Sequence, residues 1–477
     1  MIADLVIHNA TVVTGDTTFS GSVAVKDGKI LAVGAKDIMP EASETLDATG
    51  LHLLPGAIDV HVHFRDPGYP HKEDWASGTA AAAFGGVTTV FEMPNTIPPT
   101  ANAKILAEKH AIASSKAYVD YGLYGLLGED TIDKVDELIE TGVIGFKLYM
   151  GNTFGAIPSP TTGAMLEAFE VVAPTGKRIS LHAETNSIME RRQSALTKAG
   201  RIDPLAHLAA RPAVVAIEAV SRAAVLAEWT GARIHILHIS SAAELRPLAE
   251  AKARGVDITG ETCPHYIFLS ADDYARLGGI IRVNPPVRER ENQLPIWNAL
   301  TSGLIDMIAT DHAPHAPEEK TRNDIWMVDC GFPGVETQRP IMLTEVAAGH
   351  ASICDYVRWS AVNPAKAWGL WPRKGVIEPG ADADISLIDL GHRWRIDDAK
   401  LQSRSKITPW HGREVCGLPI HTIVRGKFAM RDRELVAATQ GWGRSVHSIQ
   451  QMPPPQPKNL DQTTAFILKA PKDAALR

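Results

Sequence analysis

Eight apolar runs dominate the middle of the chain, between residues 55 and 375, and each is separated from the next by a stretch rich in Ala, Leu, Glu and Lys. The runs are AIDVHVHF, VTTVFEMP, YGLYGLL, GFKLYM, RISLHAE, RIHILHIS, DITGETC and DMIATDH. Largely apolar runs of this length are typical of parallel strands that are buried on both faces. The pattern predicts an α/β fold with a (β/α)8 barrel, and such barrels carry their chemistry at the C-terminal ends of the strands.

The two ends of the chain have a different pattern. Residues 1–54 and 376–440 contain short segments in which apolar and polar residues alternate, broken by Gly, Asp and Asn. This alternation predicts strands with one buried face, and we expect both ends to meet in one small β-sandwich beside the barrel at 55–375. Residues 441–477 form a predicted tail or arm, in which the Pro-rich stretch QMPPPQPKNL is expected to be extended.

Charge and cysteine content exclude several classes of protein. The formal net charge of −7 lacks the basic footprint of a nucleic-acid-binding protein. No apolar run reaches the roughly 18 residues that would suggest a membrane span, and the N-terminus lacks the basic start of a secretory signal. The four cysteines include no CxxC pair, which argues against a disulfide framework and favours a cytoplasmic location.

Histidines and other polar side chains occur where the apolar runs end. Any one of them could be an ordinary core residue with a hydrogen-bonding partner, but their convergence on one barrel mouth predicts a metal site. Imidazole with carboxylate suits zinc best, and four histidines with one aspartate suffice for two metals. The candidate ligands are His61, His63, Lys147, His182, His238 and Asp311.

Lys147 does not fit this set as a free amine. Its ammonium form, with an ordinary pKa of about 10.4, would repel a metal ion. Either it is converted to an anion, or it has a structural or substrate-binding role.

Eight motifs together resemble the cyclic amidohydrolases, a group that comprises dihydroorotases, hydantoinases and allantoinases. The resemblance covers nearly the whole chain. The motifs are DVHVHFRDPG (59–68), FEMPNT (91–96), GFKLYM (145–150), LHAE (181–184), ILHISS (236–241), ETCPHY (261–266), NPPVRE (284–289) and ATDHAPHAPEEK (309–320).

The resemblance implies a role for each candidate ligand. His61, His63 and Asp311 would bind the more buried metal, and His182 and His238 the second. A carboxylated Lys147 would bridge both metals. Asp311 would also act in catalysis, by moving a proton from the attacking hydroxide to the leaving nitrogen of a small cyclic amide. The group is commonly dimeric or tetrameric, so a homodimer or homotetramer is expected.

Four further residues bear on the choice of substrate. Arg65, Asn95 and His315 stand where dihydroorotases bind a carboxylate, and Asn284 would contact the ring amide. They favour hydrolysis of L-dihydroorotate to N-carbamoyl-L-aspartate, and the reverse reaction, in pyrimidine metabolism. The alternative for Arg65 is a plain salt bridge with Asp66 or Glu73.

Other segments favour different substrates. The stretch RRQSALTKAGRIDPLAHLAARP, the CPHY motif and KITPWHGREVCG (406–417) resemble hydantoinases and allantoinases. Against a hydantoinase, Asn152 stands where those enzymes carry a tyrosine. Allantoinase, hydantoinase or another cyclic ureide or imide hydrolase is therefore the alternative. Some relatives have lost their metals and act as scaffolds, but this chain keeps all six candidate ligands.

Overall fold

In a computed structural model, which describes residues 2–155 and 157–447, the eight apolar runs form one sheet of parallel strands. The order follows the chain, and a bridge between Val62 and His312 joins the last strand to the first. The predicted barrel is therefore confirmed. Its strands are β6 (Ala57–Val62), β7 (Val87–Glu92), β8 (Asp120–Leu126), β9 (Gly145–Tyr149), β10 (Arg178–His182), β11 (Arg233–Ile236), β12 (Ile258–Thr262) and β13 (Met307–Ile308).

Helices cover the outside of the barrel. In the first helix, Trp75–Phe84, the run of small residues from Ala80 to Ala83 is buried, which allows close packing. The α-helices are α1 (Trp75–Phe84), α2 (Ala103–Lys116), α3 (Val135–Thr141), α4 (Thr162–Val172), α5 (Asn186–Lys198), α6 (Pro204–Ala210), α7 (Ala213–Thr230), α8 (Leu245–Ala253), α9 (Pro264–Phe268), α10 (Tyr274–Leu277), α11 (Gln293–Thr301), α12 (Pro317–Lys320), α13 (Gln338–Ala347), α14 (Ile353–Val357) and α15 (Asn363–Ala367).

A second, mostly antiparallel sheet is built from both ends of the chain, as predicted. Its strands are β1 (Ala3–Val13), β2 (Thr18–Lys26), β3 (Lys29–Gly34), β4 (Ala42–Asp47), β5 (His52–Pro55), β14 (Ile385–Arg395), β15 (Glu414–Val424), β16 (Lys427–Arg431) and β17 (Glu434–Leu435). The strand order is β17-β16-β15-β14-β5-β1-β2-β3, with β4 pairing with β1. The N-terminal and C-terminal segments thus meet where β5 pairs with β14.

The segment after β17 returns to the barrel. The backbone of Tyr121 donates to the carbonyl of Arg444, and Trp442 donates its indole N–H to the carbonyl of Val424. The Pro-rich stretch at 451–460, for which the sequence predicts an extended arm, lies outside the described residues.

Candidate metal centre

His61, His63 and Asp311 converge at the C-terminal mouth of the barrel. His61 lies in β6, His63 directly follows it, and Asp311 follows β13. The Nε2 atoms of the two histidines are 3.3 Å apart, and each is 3.2 Å from Asp311 Oδ1. Three buried ligand atoms within 4.8 Å of one another fit the coordination sphere of a zinc-sized ion.

The outer nitrogens of these two rings are held by neighbouring side chains. His61 Nδ1 donates to Glu261 Oε1 at 2.6 Å, and His63 Nδ1 donates to the amide oxygen of Asn95 at 2.7 Å. Because the proton is on Nδ1, the Nε2 lone pair of each neutral ring faces the cluster. Burial lowers the pKa of both histidines well below the usual value, which keeps them in this neutral form.

His182 and His238 form a second pair beside the first. His182 Nδ1 lies 2.9 Å from His238 Nε2, and the ring centroids of His238 and His61 are 5.4 Å apart. The outer nitrogen of His182, Nε2, donates to Glu184 Oε2 at 3.0 Å. Two imidazoles alone make an incomplete metal site, so a metal here needs a further ligand.

Lys147 is in the middle of β9 and fully buried. Its charge affects both pairs of histidines. It contributes to lowering the pKa of His61 and His63 in the first pair, and that of His182 and His238 in the second. Burial lowers the pKa of Lys147 to about 7, opposed by the charges of Asp311 and Glu261. A neutral amine is therefore accessible near neutral pH, and a neutral amine is the form that reacts with carbon dioxide.

Burial dominates the electrostatics of the Asp311 carboxyl group. Burial raises the pKa of its carboxyl to about 6, opposed by the nearby His265 and Lys147. A carboxyl group with this pKa both accepts and releases a proton near neutral pH.

Three candidate residues have left-handed backbone conformations. The φ angles are +62° at Arg65, +47° at Asp311 and +40° at His238. Non-glycine residues rarely adopt such angles, and they concentrate at functional sites where the surrounding structure holds them. In this barrel they occur just beyond the ends of β6, β13 and β11.

Arg65 is buried, and its charge acts on His63 of the candidate metal centre. Its Nη2 lies 3.2 Å from His315 Nε2, and the ring of Phe154 covers its guanidinium at 4.4 Å. Among the described residues, Arg65 does not form the alternative salt bridge with Asp66 or Glu73. Asp66 pairs with Lys116 at 2.7 Å, and Glu73 accepts from Ser403. The Nε and Nη1 atoms of Arg65 are buried and meet no hydrogen-bond partner in the described part of the chain.

His315 is held in one tautomer. Lys72 Nζ donates to its Nδ1 at 3.0 Å, and its Nε2 donates to the carbonyl of Cys330 at 3.0 Å. Burial lowers the pKa of His315 to about 4, despite the nearby Asp329 and Glu319. The N–H of the neutral His315 ring is thus directed at Cys330, and the ring adds no charge next to Arg65.

Asn95 and Asn284 are already engaged by the protein. Asn95 accepts from His63 and donates to the carbonyl of Phe154 at 3.2 Å. Asn284 accepts from His207 Nε2 at 2.9 Å and lies 3.3 Å from the hydroxyl of Thr153. Both therefore connect the mouth of the barrel to the segment after β9, in addition to any contact with a substrate.

Three residues that shape the site have no role predicted from the sequence. Glu184 is one of them, although it follows His182 by two residues and so lies on the same side of an extended chain. Phe154 belongs to none of the quoted motifs, and Arg211 lies in the stretch RRQSALTKAGRIDPLAHLAARP, which indicates a resemblance but no role for this residue. Arg211 lowers the pKa of the buried Glu184 carboxyl to about 2, although burial alone would raise it.

Two other acidic clusters each surround a lysine. Lys72 pairs with Glu319 at 3.0 Å and with Asp329 at 2.8 Å, in the cluster that also contains His315. Lys374 likewise pairs with Asp120 at 2.7 Å and with Asp384. In both clusters the ammonium group of the lysine already takes the place that a metal cation would have.

No helix in the described part of the chain combines the length and the apolar character that crossing a membrane requires.

Buried imidazoles, a carboxylate and a lysine at the C-terminal mouth of a (β/α)8 barrel form a site that could bind metal, as the sites of metal-dependent hydrolases do. The pattern of the amidohydrolase family matches residues 52–429, and this chain belongs to that family.

The relatives extend along almost the whole chain. An L-hydantoinase of Paenarthrobacter aurescens is 34% identical, covering 93% of this chain and 98% of its own. An allantoinase of Rubrobacter xylanophilus is 36% identical, covering 92% of this chain and 96% of its own. The solved structure of the L-hydantoinase (dihydropyrimidinase) from Arthrobacter aurescens superposes with a TM-score of 0.91 at 33% identity, covering 94% of this chain and all of that one. The protein is thus a cyclic amide hydrolase of the hydantoinase and allantoinase type, and the expected closeness to dihydroorotases is not supported.

Proposed function

We propose that this protein hydrolyses a C–N bond of a five- or six-membered cyclic ureide, with allantoin and hydantoins as the first candidates. The proposal rests on two neighbouring groups of candidate ligands, and the charge of Lys147 acts on both. The first group is His61, His63 and Asp311, and the second is His182 and His238. Their donor chemistry fits two divalent metals, with zinc the expected ion.

Bound metals would supply Lewis-acid polarisation of the amide carbonyl and activation of a water molecule. The second pair of histidines requires an additional anionic ligand, and carboxylation of Lys147 would provide it. The lowered pKa of Lys147, about 7, favours this reaction because the amine is neutral in a substantial fraction of molecules. We therefore propose that Lys147, as a carbamate, would help to hold the two ions.

Asp311 is the proposed catalytic proton carrier. Its carboxylate oxygen Oδ1 faces the Nε2 atoms of both histidines at 3.2 Å, so it borders the place where the attacking water would bind. From this position Asp311 would accept the proton of that water and then donate it to the ring nitrogen as the C–N bond breaks.

The relatives favour allantoin and hydantoins as the substrate class over L-dihydroorotate. Full-length similarity to proteins named hydantoinase and allantoinase supports a ureide without an obligatory carboxylate. Dihydroorotate remains a second candidate because of one specific observation. The guanidinium of Arg65 is buried with two unpaired nitrogens, and a buried unpaired charge is costly unless an anion completes it.

The test is a substrate panel with metal-loaded protein, prepared with zinc and bicarbonate. Allantoin, hydantoin, dihydrouracil, L-dihydroorotate and a hydantoin with a carboxymethyl group at C5 should be compared by kcat/KM. We expect turnover of at least one cyclic ureide, lost on Asp311→Asn. Absence of turnover with every ring, in protein that holds two metals per chain, would refute the proposal and favour a non-catalytic scaffold.

The variant Arg65→Gln separates the two substrate candidates. Hydrogen bonds between charged groups contribute roughly 1.5–3 kcal/mol, so KM for a carboxylate-bearing substrate should rise about 10- to 100-fold. KM for hydantoin should change little. Arg290→Gln, at a largely exposed arginine, is the matched control. Equal effects of Arg65→Gln on acidic and neutral rings would show that Arg65 does not bind a carboxylate.

A further inference from the structure

Arg211 and Glu184 form a buried ion pair directly behind the second pair of histidines. Arg211 Nη1 contacts Glu184 Oε2, the same oxygen that accepts from His182 Nε2. Glu184 has no exposed surface and Arg211 is 8% exposed, so the pair is shielded from solvent and from screening by salt. The chain of contacts therefore runs from Arg211 through Glu184 to the outer nitrogen of a candidate metal ligand.

The hydrogen bond from His182 to Glu184 determines which nitrogen of His182 can bind a metal. A carboxylate without a proton only accepts, so the shared proton belongs to His182 Nε2. The lone pair is then on Nδ1, which lies 2.9 Å from His238 Nε2. Without Glu184, both tautomers and other ring orientations would be accessible to His182, and its Nδ1 would be less available to a metal.

Arg211 also connects the strand ends that bear the remaining ligands. Its Nη2 donates to the carbonyl of Asn152 at 2.8 Å, in the segment that follows the strand of Lys147. Its own carbonyl accepts from Arg288 at 2.8 Å, and Arg288 in turn donates to Ser240, two residues beyond His238. One arginine thus holds together the ends of β9, β10 and β11.

We infer that Glu184 and Arg211 are positioning residues for the second metal, acting by fixing the tautomer and orientation of His182. Arg211 lies between α6 and α7, in a segment that resembles hydantoinases and allantoinases rather than dihydroorotases. The inference thus gives that segment a function in the metal centre. It rests on the two-metal site of the proposed function, but it does not depend on which substrate is hydrolysed.

The test measures metal binding without any substrate. Metal-free wild-type protein and Glu184→Gln are titrated with zinc in bicarbonate buffer against a chelating indicator that resolves two sites per chain. Loss of partners that orient a metal-binding histidine weakens affinity about 10- to 100-fold. We expect that loss at one of the two sites in Glu184→Gln, with the other site unchanged. Glu170→Gln, the same change at an exposed position of α4, is the control and should bind both ions like the wild type.

Arg211→Met tests the second half of the pair. It should weaken zinc binding at the same site. The double variant Glu184→Gln/Arg211→Met should bind zinc there no more weakly than the single variant with the lower affinity, because both residues act through His182. The double variant also removes the uncompensated carboxylate that Arg211→Met leaves buried, so it remains informative if the single variant does not fold. Loading with cobalt adds an absorption spectrum that changes only if the coordination of the second ion changes.

The outcomes distinguish this inference from the proposed function. Two tight sites in the wild type with unchanged affinities in Glu184→Gln would overturn the positioning role and leave the proposed function standing. Equal weakening of both sites would also overturn it, since a general structural role would then explain the effect. A wild-type protein that binds fewer than two ions would refute the two-metal site itself.

Discussion

Glu261 holds two imidazoles at once, below the proposed metal centre. Its Oε1 accepts from His61, and its Oε2 lies 3.0 Å from the Nε2 of His235. His235 is itself hydrogen-bonded to the hydroxyl of Thr259 at 2.8 Å. Burial raises the pKa of Glu261 well above the usual value, and the neighbouring Asp59 and Asp311 add to that effect. The Oε1 of Glu261 also accepts from the backbone N–H of His238 at 3.3 Å, so two imidazoles and one backbone N–H hold this buried carboxyl group.

Replacement of this residue should weaken the first metal site. In Glu261→Gln an amide N–H faces one of the two histidines, which can then no longer donate to it. We expect about 10- to 100-fold weaker binding of the ion held by His61, measured by the same zinc titration. Glu250→Gln, at a mostly exposed glutamate on α8, should leave both affinities unchanged. Unchanged affinity in Glu261→Gln would mean that His61 is positioned by the barrel backbone alone.

At the scale of elements, the segment after β9 closes one side of the site. Residues 151–155 connect to the barrel mouth through the hydrogen bond from Asn95 to Phe154 and through the contact between Asn284 and Thr153. The segment packs very closely on the end of β10. A Cβ atom at Gly151 would lie 2.4 Å from the carbonyl oxygen of Glu184 and 2.5 Å from Met189 Cε.

The variant Gly151→Ala should therefore displace this segment. Such overpacking costs roughly 1–3 kcal/mol of stability, and kcat/KM should fall because Phe154 no longer covers Arg65. Denaturant unfolding and steady-state kinetics test both effects. Gly163→Ala is the matched control: a Cβ atom there would meet nothing within 4 Å, and the position is in α4, where alanine is favoured by about 0.5–1 kcal/mol. Wild-type stability and activity in Gly151→Ala would contradict the close packing.

At the scale of the whole molecule, one buried lysine joins the barrel to the sandwich. Lys374 pairs with Asp120, at the start of β8, and with Asp382 and Asp384, just before β14. Arg425, at the turn after β15, completes the network by pairing with Asp120 at 3.0 Å. The three carboxylates raise the pKa of Lys374, although burial alone would lower it. The junction between the barrel and the sandwich therefore requires the positive charge of Lys374.

Removal of the cation should destabilise the protein in a pH-dependent way. Breaking a buried ion pair costs about 3–5 kcal/mol, because the remaining charge is left uncompensated. In Lys374→Met the pKa values of the folded-state carboxyls should rise above the unfolded value of about 3.9. These carboxyls then take up protons as the pH falls, so the destabilisation should be larger at pH 8 than at pH 5.5.

Urea unfolding of Lys374→Met and of the wild type at the two pH values measures this difference. Lys26→Met, which removes a partly exposed pair with Asp4, should change stability far less at both values. A loss of stability that is the same at pH 5.5 and pH 8 would show that the carboxylates find other partners or reach solvent.

Much of the fold and of the candidate site follows from local features of the sequence. The length and apolar character of the eight runs predict parallel strands, because only strands buried on both faces can be apolar throughout. Since the C-terminal ends of these strands share one face of the barrel, polar residues that end them must come together. His61, His63, Lys147, His182, His238 and Asp311 could therefore be predicted as one candidate cluster without coordinates.

The tertiary structure decided which partners those residues have. Glu184 and Arg211 are separated by helices α5 and α6, and no period or motif in the sequence indicates that they touch. The same holds for Glu261 behind His61, and for Asn95, which the sequence predicts as a substrate ligand and which also orients His63. Hydrogen bonds and ion pairs between distant segments depend on distances of a few tenths of an ångström, and only the packed barrel sets those distances.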